Sequence, residues 1–196
     1  MVYLYILLSY LFGSIPFGYI VAKLANGVDI RNHGSGNTGA TNVFRVVGPA
    51  GGITVFILDC LKGFLPVALA GYFFKDLSSV YLLLAGLAAI AGHMFTPFLG
   101  FKGGKGVATG AGVFLALLPV ITLFGALVFA IVFAFSRYVS LSSICAGVFV
   151  PIASWATGKP AGISIFTTLA AILIIYAHRS NIQRLLNGTE NRFKKQ

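Results

Sequence analysis

The residues with chemistry in this chain gather in three short polar stretches. The first, His33-Gly34-Ser35-Gly36-Asn37-Thr38-Gly39-Ala40-Thr41-Asn42 followed by Arg45, sets three glycines among short hydrogen-bonding side chains and closes on a guanidinium. Glycine lets the backbone take φ > 0 and bring its N–H groups against a ligand. Ser35, Asn37, Thr38, Thr41 and Asn42 add hydrogen-bonding arms, and Arg45 adds a permanent forked cation. With Gly34 and Gly36 they suit a phosphate, with a helix expected to open at Ala40. Gly34 to Gly39 also spells G-x-G-x-x-G, and Asp59 lies twenty residues on. A dinucleotide fold needs a strand before the glycines and a βαβ unit around them. Here a membrane-length apolar run precedes them, so only the anion-cradling physics of a glycine loop carries over. Such a loop also packs helices closely; the row of amides and hydroxyls and Arg45 argue for the anion.

The second stretch, Phe101-Lys102-Gly103-Gly104-Lys105-Gly106, runs into Val107-Ala108-Thr109. It lacks the Gly-Lys-Ser/Thr ending of a Walker A loop. Lys102 and Lys105, with the glycine N–H groups where a helix begins, nevertheless suit a second phosphate. A basic cytoplasmic anchor would explain the lysines but not Gly103, Gly104 and Gly106. In the third stretch His178 and Asn181 flank Ser180 and share a face if the helix runs on. An imidazole there can take a proton, hydrogen-bond a phosphate or anchor a span at the interface, and His93 presents the same choice with less company. Glu190 is the sole acid near these stretches and is suited to holding Arg184 or Arg192. Asp59 and Lys62, inside an apolar run, are expected to pair, as a packing contact or as a functional pair. No Cys or His has a partner at zinc spacing, so no metal site is expected. Two anion sites without paired acids suggest a reaction between two phosphorylated substrates.

A membrane body must position these stretches. Of 196 residues 58% are hydrophobic and 9% charged, with mean hydropathy +0.93, whereas soluble domains carry about 25% charged residues. The expectation is an all-α polytopic membrane protein, a single domain over 1–196, embedded in a bilayer that one substrate shares. The first apolar run, Val2 to Lys23, lacks a basic start and continues past Phe12, so it reads as a retained span. Further runs follow at 49–74, 79–99, 107–135, 138–156 and 163–177, with turns at Lys75-Asp76 and Gly158-Lys159-Pro160. Net charge is +10, from 14 Lys plus Arg against 4 Asp plus Glu. That excess marks cytoplasmic loops or anion binding, and calls for neither nucleic acid nor an obligatory protein partner. Cys60 and Cys145 lie in apolar runs with nothing to support a disulfide. If the three polar stretches share the cytoplasmic face, an even number of crossings separates each from the next. The run 107–135 must then break at Pro119 into two short or tilted helices of about 14 residues, below the usual 17–25; a re-entrant pair meets the same parity. About seven transmembrane helices result, two of them short, with the N-terminus outside and the C-terminus cytoplasmic.

Gly13-Ser14-Ile15-Pro16, the stretch from His33 to Val43, Gly92-His93, the stretch from Phe101 to Ala108, and His178-Arg179-Ser180-Asn181 with Gly188-Thr189-Glu190 resemble, in this order, the bacterial acyl-phosphate-dependent glycerol-3-phosphate acyltransferases. The resemblance covers essentially the whole chain, with no departure at the motif positions. It implies transfer of a fatty acyl group from acyl phosphate to the 1-hydroxyl of glycerol 3-phosphate, giving lysophosphatidic acid, the first step of phospholipid synthesis. It implies a site on the cytoplasmic side of the bacterial inner membrane, no cofactor or metal, and no direct use of acyl-CoA or acyl carrier protein. It also implies roles. Ser35, Arg45 and Lys105 would contact glycerol 3-phosphate and the transferring centre. The N–H groups of Gly103, Gly104 and Gly106 would hold acyl phosphate as an oxyanion hole. His178 and Asn181 would position substrate, Glu190 and His93 would lend structural support, and His178 or substrate phosphate would take the hydroxyl proton. Two other classes share some features. A transporter for a phosphorylated solute would need an anion path through the membrane, and a scaffold without chemistry would tolerate loss of Ser35 or Arg45.

Overall fold

The computed structural model describes residues 1–74 and 80–193. The turn at Lys75-Asp76, the start of the third apolar run at Ser79 and the last residues of the basic tail lie outside the described residues. Those described form ten α-helices and two 3₁₀ turns, in two compact units, Met1–Ala116 and Leu117–Gln196.

In the first unit the opening run is not one continuous helix. α1 (Val2–Gly13) stops at a Ser14-Ile15-Pro16 elbow and α2 (Phe17–Asn26) starts again after it. Proline removes a donor from the helical ladder and its ring crowds the preceding turn, which an apolar count over Val2 to Lys23 does not register. A 3₁₀ turn (Ile30–Asn32) and the short α3 (Ala40–Val46) follow, α3 opening at the expected Ala40. α4 (Pro49–Phe73), α5 (Val80–Met94), a second 3₁₀ turn (Pro97–Leu99) and α6 (Val107–Leu117) complete the unit. Small residues bring these helices to backbone distance, as in other membrane packings. A Cβ on Gly13 would strike Ala89, one on Gly92 the Tyr10 carbonyl, and one on Gly112 the Cys60 carbonyl.

In the second unit α7 (Pro119–Ser136), α8 (Val139–Ala156), α9 (Ala161–Ala177) and α10 (Arg179–Leu186) follow in order. The run 107–135 does break at Pro119, but into helices of 11 and 18 residues rather than two equal halves. Proline is welcome in the first turn of a helix and cannot continue the one before it, so α7 takes the longer share of the run and α6 the shorter. Ser154 and Ser164 join α8 to α9 by a buried hydroxyl pair at 2.9 Å.

Five segments are long and apolar enough to cross a membrane: Val2–Asn26, Pro49–Phe73, Val80–Leu99, Pro119–Ser136 and Val139–Ala156. Ala161–Ala177 with Arg179–Leu186 makes a sixth if that pair, bent by 58°, counts as one span. Along α7 Leu123, Leu127 and Ile131 recur at helical spacing and are each half exposed or more, a stripe suited to lipid rather than water.

Candidate active site

The first polar stretch is a loop folded around one side chain. Ile30 before it and Val43 after it enter a small core with Ala22 and Val55, all fully buried, which pins both ends. Asn42, 1% exposed, fills the middle. Its amide donates to the carbonyls of His33 and Asn37, both at 2.9 Å, and of Ile30 at 3.3 Å. Its Oδ1 accepts the Ser35 N–H at 2.8 Å. Asn37 Oδ1 accepts the Gly39 N–H at 2.8 Å, an Asx turn leading into α3. Gly34 has φ +60° and a Cβ there would strike Asn42 Oδ1. These atoms of Asn37 and Asn42, expected to meet a phosphate, are engaged by the loop's own backbone, because a glycine-rich segment leaves polar groups that something must satisfy. Thr38 is buried, with its carbonyl against Gly18, and Thr41 is half-buried in the first turn of α3. Ser35 and Arg45 are exposed. Arg31 sits beside the loop on Asp29, Nη2 to Oδ2 2.6 Å. Hydrogen bonds from the Arg31 side chain and N–H hold the Asp29 carboxyl down at about 2.

The second stretch is built differently. Gly103 N–H donates to the Met94 carbonyl at 3.0 Å and Gly104 N–H to the His93 carbonyl at 3.1 Å. A Cβ on Gly103 would strike the His93 carbonyl, and one on Gly104 the imidazole Nε2. The expected oxyanion hole therefore needs correction: two of its three N–H donors tie the loop to the end of α5. Gly106 is buried with φ +77° and opens α6, its carbonyl accepting from Gly110 at 2.7 Å. The N–H groups of the first turn of α6 lack partners within the helix, which leaves them suited to an anion. Lys102 is exposed and Lys105 half-buried.

The third stretch bends by 58° at His178, so the helix does not run on through His178 to Asn181. His178 lies between α9 and α10 and is 2% exposed, with Nδ1 2.7 Å from the Ile174 carbonyl. A carbonyl only accepts, so Nδ1 carries a proton and donates it to Ile174. Asn181 is buried on α10, Ser180 exposed. Glu190 gathers the region: its Oε1 accepts from Asn181 at 2.7 Å and Ser140 at 2.8 Å, and its Oε2 from Arg184 Nε at 2.7 Å. Burial pushes the Glu190 carboxyl up, but these three hydrogen bonds and the Arg184 charge outweigh it and leave it below the usual range. Of the two expected partners Arg184 is the one engaged, while Arg192 lies over the Tyr138 ring. Ser140 is a residue that sequence reasoning missed; it stands fifty positions from Glu190 with no local pattern to mark it.

A family model for glycerol-3-phosphate acyltransferases matches residues 3–188. The chain belongs to the glycerol-3-phosphate acyltransferase family. It is 52% identical to the glycerol-3-phosphate acyltransferase of Endomicrobium trichonymphae over 191 residues, 97% of this chain and 95% of the relative. Identity to that of Aquifex aeolicus is 48% over 188 residues, covering 96% and 97%. Among solved structures it resembles PlsY, described as an integral membrane glycerol 3-phosphate acyltransferase, in its glycerol 3-phosphate form. The TM-score is 0.94 at 47% identity, covering 98% of this chain and 96% of that one. The lysophosphatidic acid form gives 0.91 at 46%, covering 98% and 95%. All three polar stretches up to Gly188 fall within the family match, which ends two residues before Glu190.

Proposed function

We infer that this integral membrane protein is a glycerol-3-phosphate 1-O-acyltransferase that takes its acyl group from acyl phosphate. The observation that carries the reading is the end-to-end likeness to a relative solved in a glycerol 3-phosphate form and a lysophosphatidic acid form, the acceptor and the product of one transfer. The 1-hydroxyl oxygen attacks the acyl carbonyl carbon, the bond from that carbon to the phosphate oxygen breaks, and the products are lysophosphatidic acid and phosphate. An acyl phosphate is a mixed anhydride with a good leaving group, so a strong protein base is unnecessary. The hydroxyl proton passes to substrate phosphate or to His178.

Ser35, Arg45 and Lys105 are assigned to glycerol 3-phosphate and the reacting centre, with Gly34, Gly36, Thr38 and Thr41 shaping that loop. Asn37 and Asn42 hold its form. Lys102 and the first-turn N–H groups of α6 after Gly106 are assigned to acyl phosphate, where fixed donors stabilise charge developing on oxygen. His178, Asn181 and Ser180 are assigned to substrate positioning by chemistry and family membership, with Glu190 and His93 as supports. The seven crossings, the external N-terminus, the cytoplasmic C-terminus and the inner membrane as location belong to the same reading, supported by the placement of Lys and Arg. So does one functional domain over 1–196.

Purified protein in detergent, without sealed vesicles, is expected to transfer labelled acyl groups from acyl phosphate to glycerol 3-phosphate. Ser35→Ala and Arg45→Ala are each expected to lower kcat/KM by about a hundredfold or more while leaving the melting temperature unchanged. No transfer in detergent, with uptake of glycerol 3-phosphate into proteoliposomes, would replace the enzyme with a transporter.

A further inference from the structure

The first unit buries an ion pair of Lys62 and Asp59, with His93 beside it, that the transfer itself does not use. Lys62 and Asp59 on α4 each have side chains only 2% exposed, with Lys62 Nζ 2.7 Å from Asp59 Oδ1. His93 Nδ1 lies 3.7 Å from the same oxygen and has no hydrogen-bond partner of its own. Stability does not account for such a pair, since replacing a buried ion pair by well-packed neutral residues is often neutral or favourable.

We propose that Lys62 is a positioning residue for the acyl transfer, holding the Ser14-Ile15-Pro16 elbow and, through it, the glycine loop of Ser35. The inference rests on the acyltransferase reading. Lys62 Nζ donates to the Ile15 carbonyl at 2.8 Å, across 47 residues of sequence, and sits over the Phe17 ring at 5.5 Å. Thr96 Oγ1 donates to the neighbouring Ser14 carbonyl at 2.7 Å. The elbow is thus gripped from behind at two consecutive carbonyls. Three residues past Ile15, Gly18 lies so close to the Thr38 carbonyl that a Cβ would strike it, so a shift of the elbow is a shift of the loop. Ser14, Pro16, Thr38, Lys62 and His93 line the cleft between them.

The same turn of α4 also seats the second loop. Asp59 faces His93, whose carbonyl receives Gly104. The Cys60 carbonyl is against Gly112, and Gly63 is against the Thr109 carbonyl on α6. Residues 59–63 therefore touch the seats of both loops, and Lys62 is the link that runs to the first. Because the first loop is the one assigned to glycerol 3-phosphate, loss of the link should fall on that substrate.

The test pairs neutral substitutions so that no buried charge is stranded. Asp59→Asn with Lys62→Met is expected to leave a folded protein with a cooperative melting transition in detergent, lowered by no more than the one Ile15 carbonyl left without its donor. It should raise KM for glycerol 3-phosphate about tenfold, the factor of roughly one lost hydrogen bond, with KM for acyl phosphate unchanged. Asp59→Asn with Lys62→Gln, which retains a neutral N–H donor, should recover part of that loss. Parent-like KM in the Met pair, or an equal rise for both substrates, would overturn the proposal. Thr96→Val removes the other grip on the elbow and should move KM in the same direction by less. If the Met pair does not fold, parent-like KM in Thr96→Val overturns it instead. An inactive parent protein would point to failure of the acyltransferase reading itself.

Discussion

The two glycine loops of the first unit look alike in composition and are held in opposite ways. The loop of Ser35 closes around a side chain, with the Asn42 amide meeting three carbonyls and one N–H of the segment it organises. The loop of Lys105 is tied through its backbone: the Gly103 and Gly104 N–H groups reach the Met94 and His93 carbonyls, and glycine is there because nothing larger fits. One loop is therefore vulnerable to deletion and the other to addition. The glycines differ in kind as well. Gly34 and Gly36 have φ of +60° and +71°, so backbone conformation demands them. Gly103 and Gly104 are demanded by close approach alone.

The sharpest way to break this contrast is Gly103→Ala. The added Cβ meets the backbone of the α5 terminus, which cannot yield as a flexible side chain would. The loop must retreat, and kcat/KM for acyl transfer should fall about a hundredfold, the scale of a 1 Å misplacement. Parent-like kinetics would mean that the second loop tolerates bulk and that its glycines serve something other than contact. Next in size is Asn42→Ala, which strands the carbonyls of Ile30, His33 and Asn37 and the Ser35 N–H. Each buried unsatisfied group costs about 1–3 kcal/mol, so thermal melting in detergent should show clear destabilisation together with a raised KM for glycerol 3-phosphate. A drop in melting temperature with kinetics untouched would detach Asn42 from the site.

A smaller effect separates both loops from the third stretch, whose organiser can titrate. Glu190 has a folded-state pKa below the ordinary 4.5. Its contribution is therefore fully present above about pH 4.5 and is lost as pH falls through the lower folded value. Glu190→Gln should flatten that part of the acid stability profile, whereas Asn42→Ala should leave its shape unchanged. Smallest is Gly100→Ala. Gly100 has φ +64° with nothing within 4 Å of a new Cβ, so only backbone strain of about 1–2 kcal/mol applies and turnover should match the parent. Loss of activity there would mean that the turn leading into the second loop, and not Gly106 alone, depends on φ.

Much of this was legible because local rules decide it. The apolar runs required a membrane body, Ala40 opened a helix after the glycines, Pro119 ended one helix and began another, and Asp59 met Lys62 at the spacing of one helical turn. What escaped depends on partners remote in sequence. A run that reads apolar from Val2 to Lys23 gives no sign that its elbow is held by Lys62 and Thr96. The bend at His178 and the bond from Ser140 to Glu190 are likewise silent.

The sequence by itself determined the class of chemistry and the class of solvent. Phosphate binding needs glycine, hydroxyl, amide and cationic groups in short runs, and spanning a bilayer needs long apolar ones, and both are properties of residue type and spacing. Only the tertiary structure decided which polar groups remain for substrate and which are taken up inside the protein. A backbone N–H or an Asn amide offers the same hydrogen bond to a phosphate or to a carbonyl. Its partner depends on what packing brings within about 3 Å, and for Gly103, Gly104 and Asn42 that partner is the protein itself.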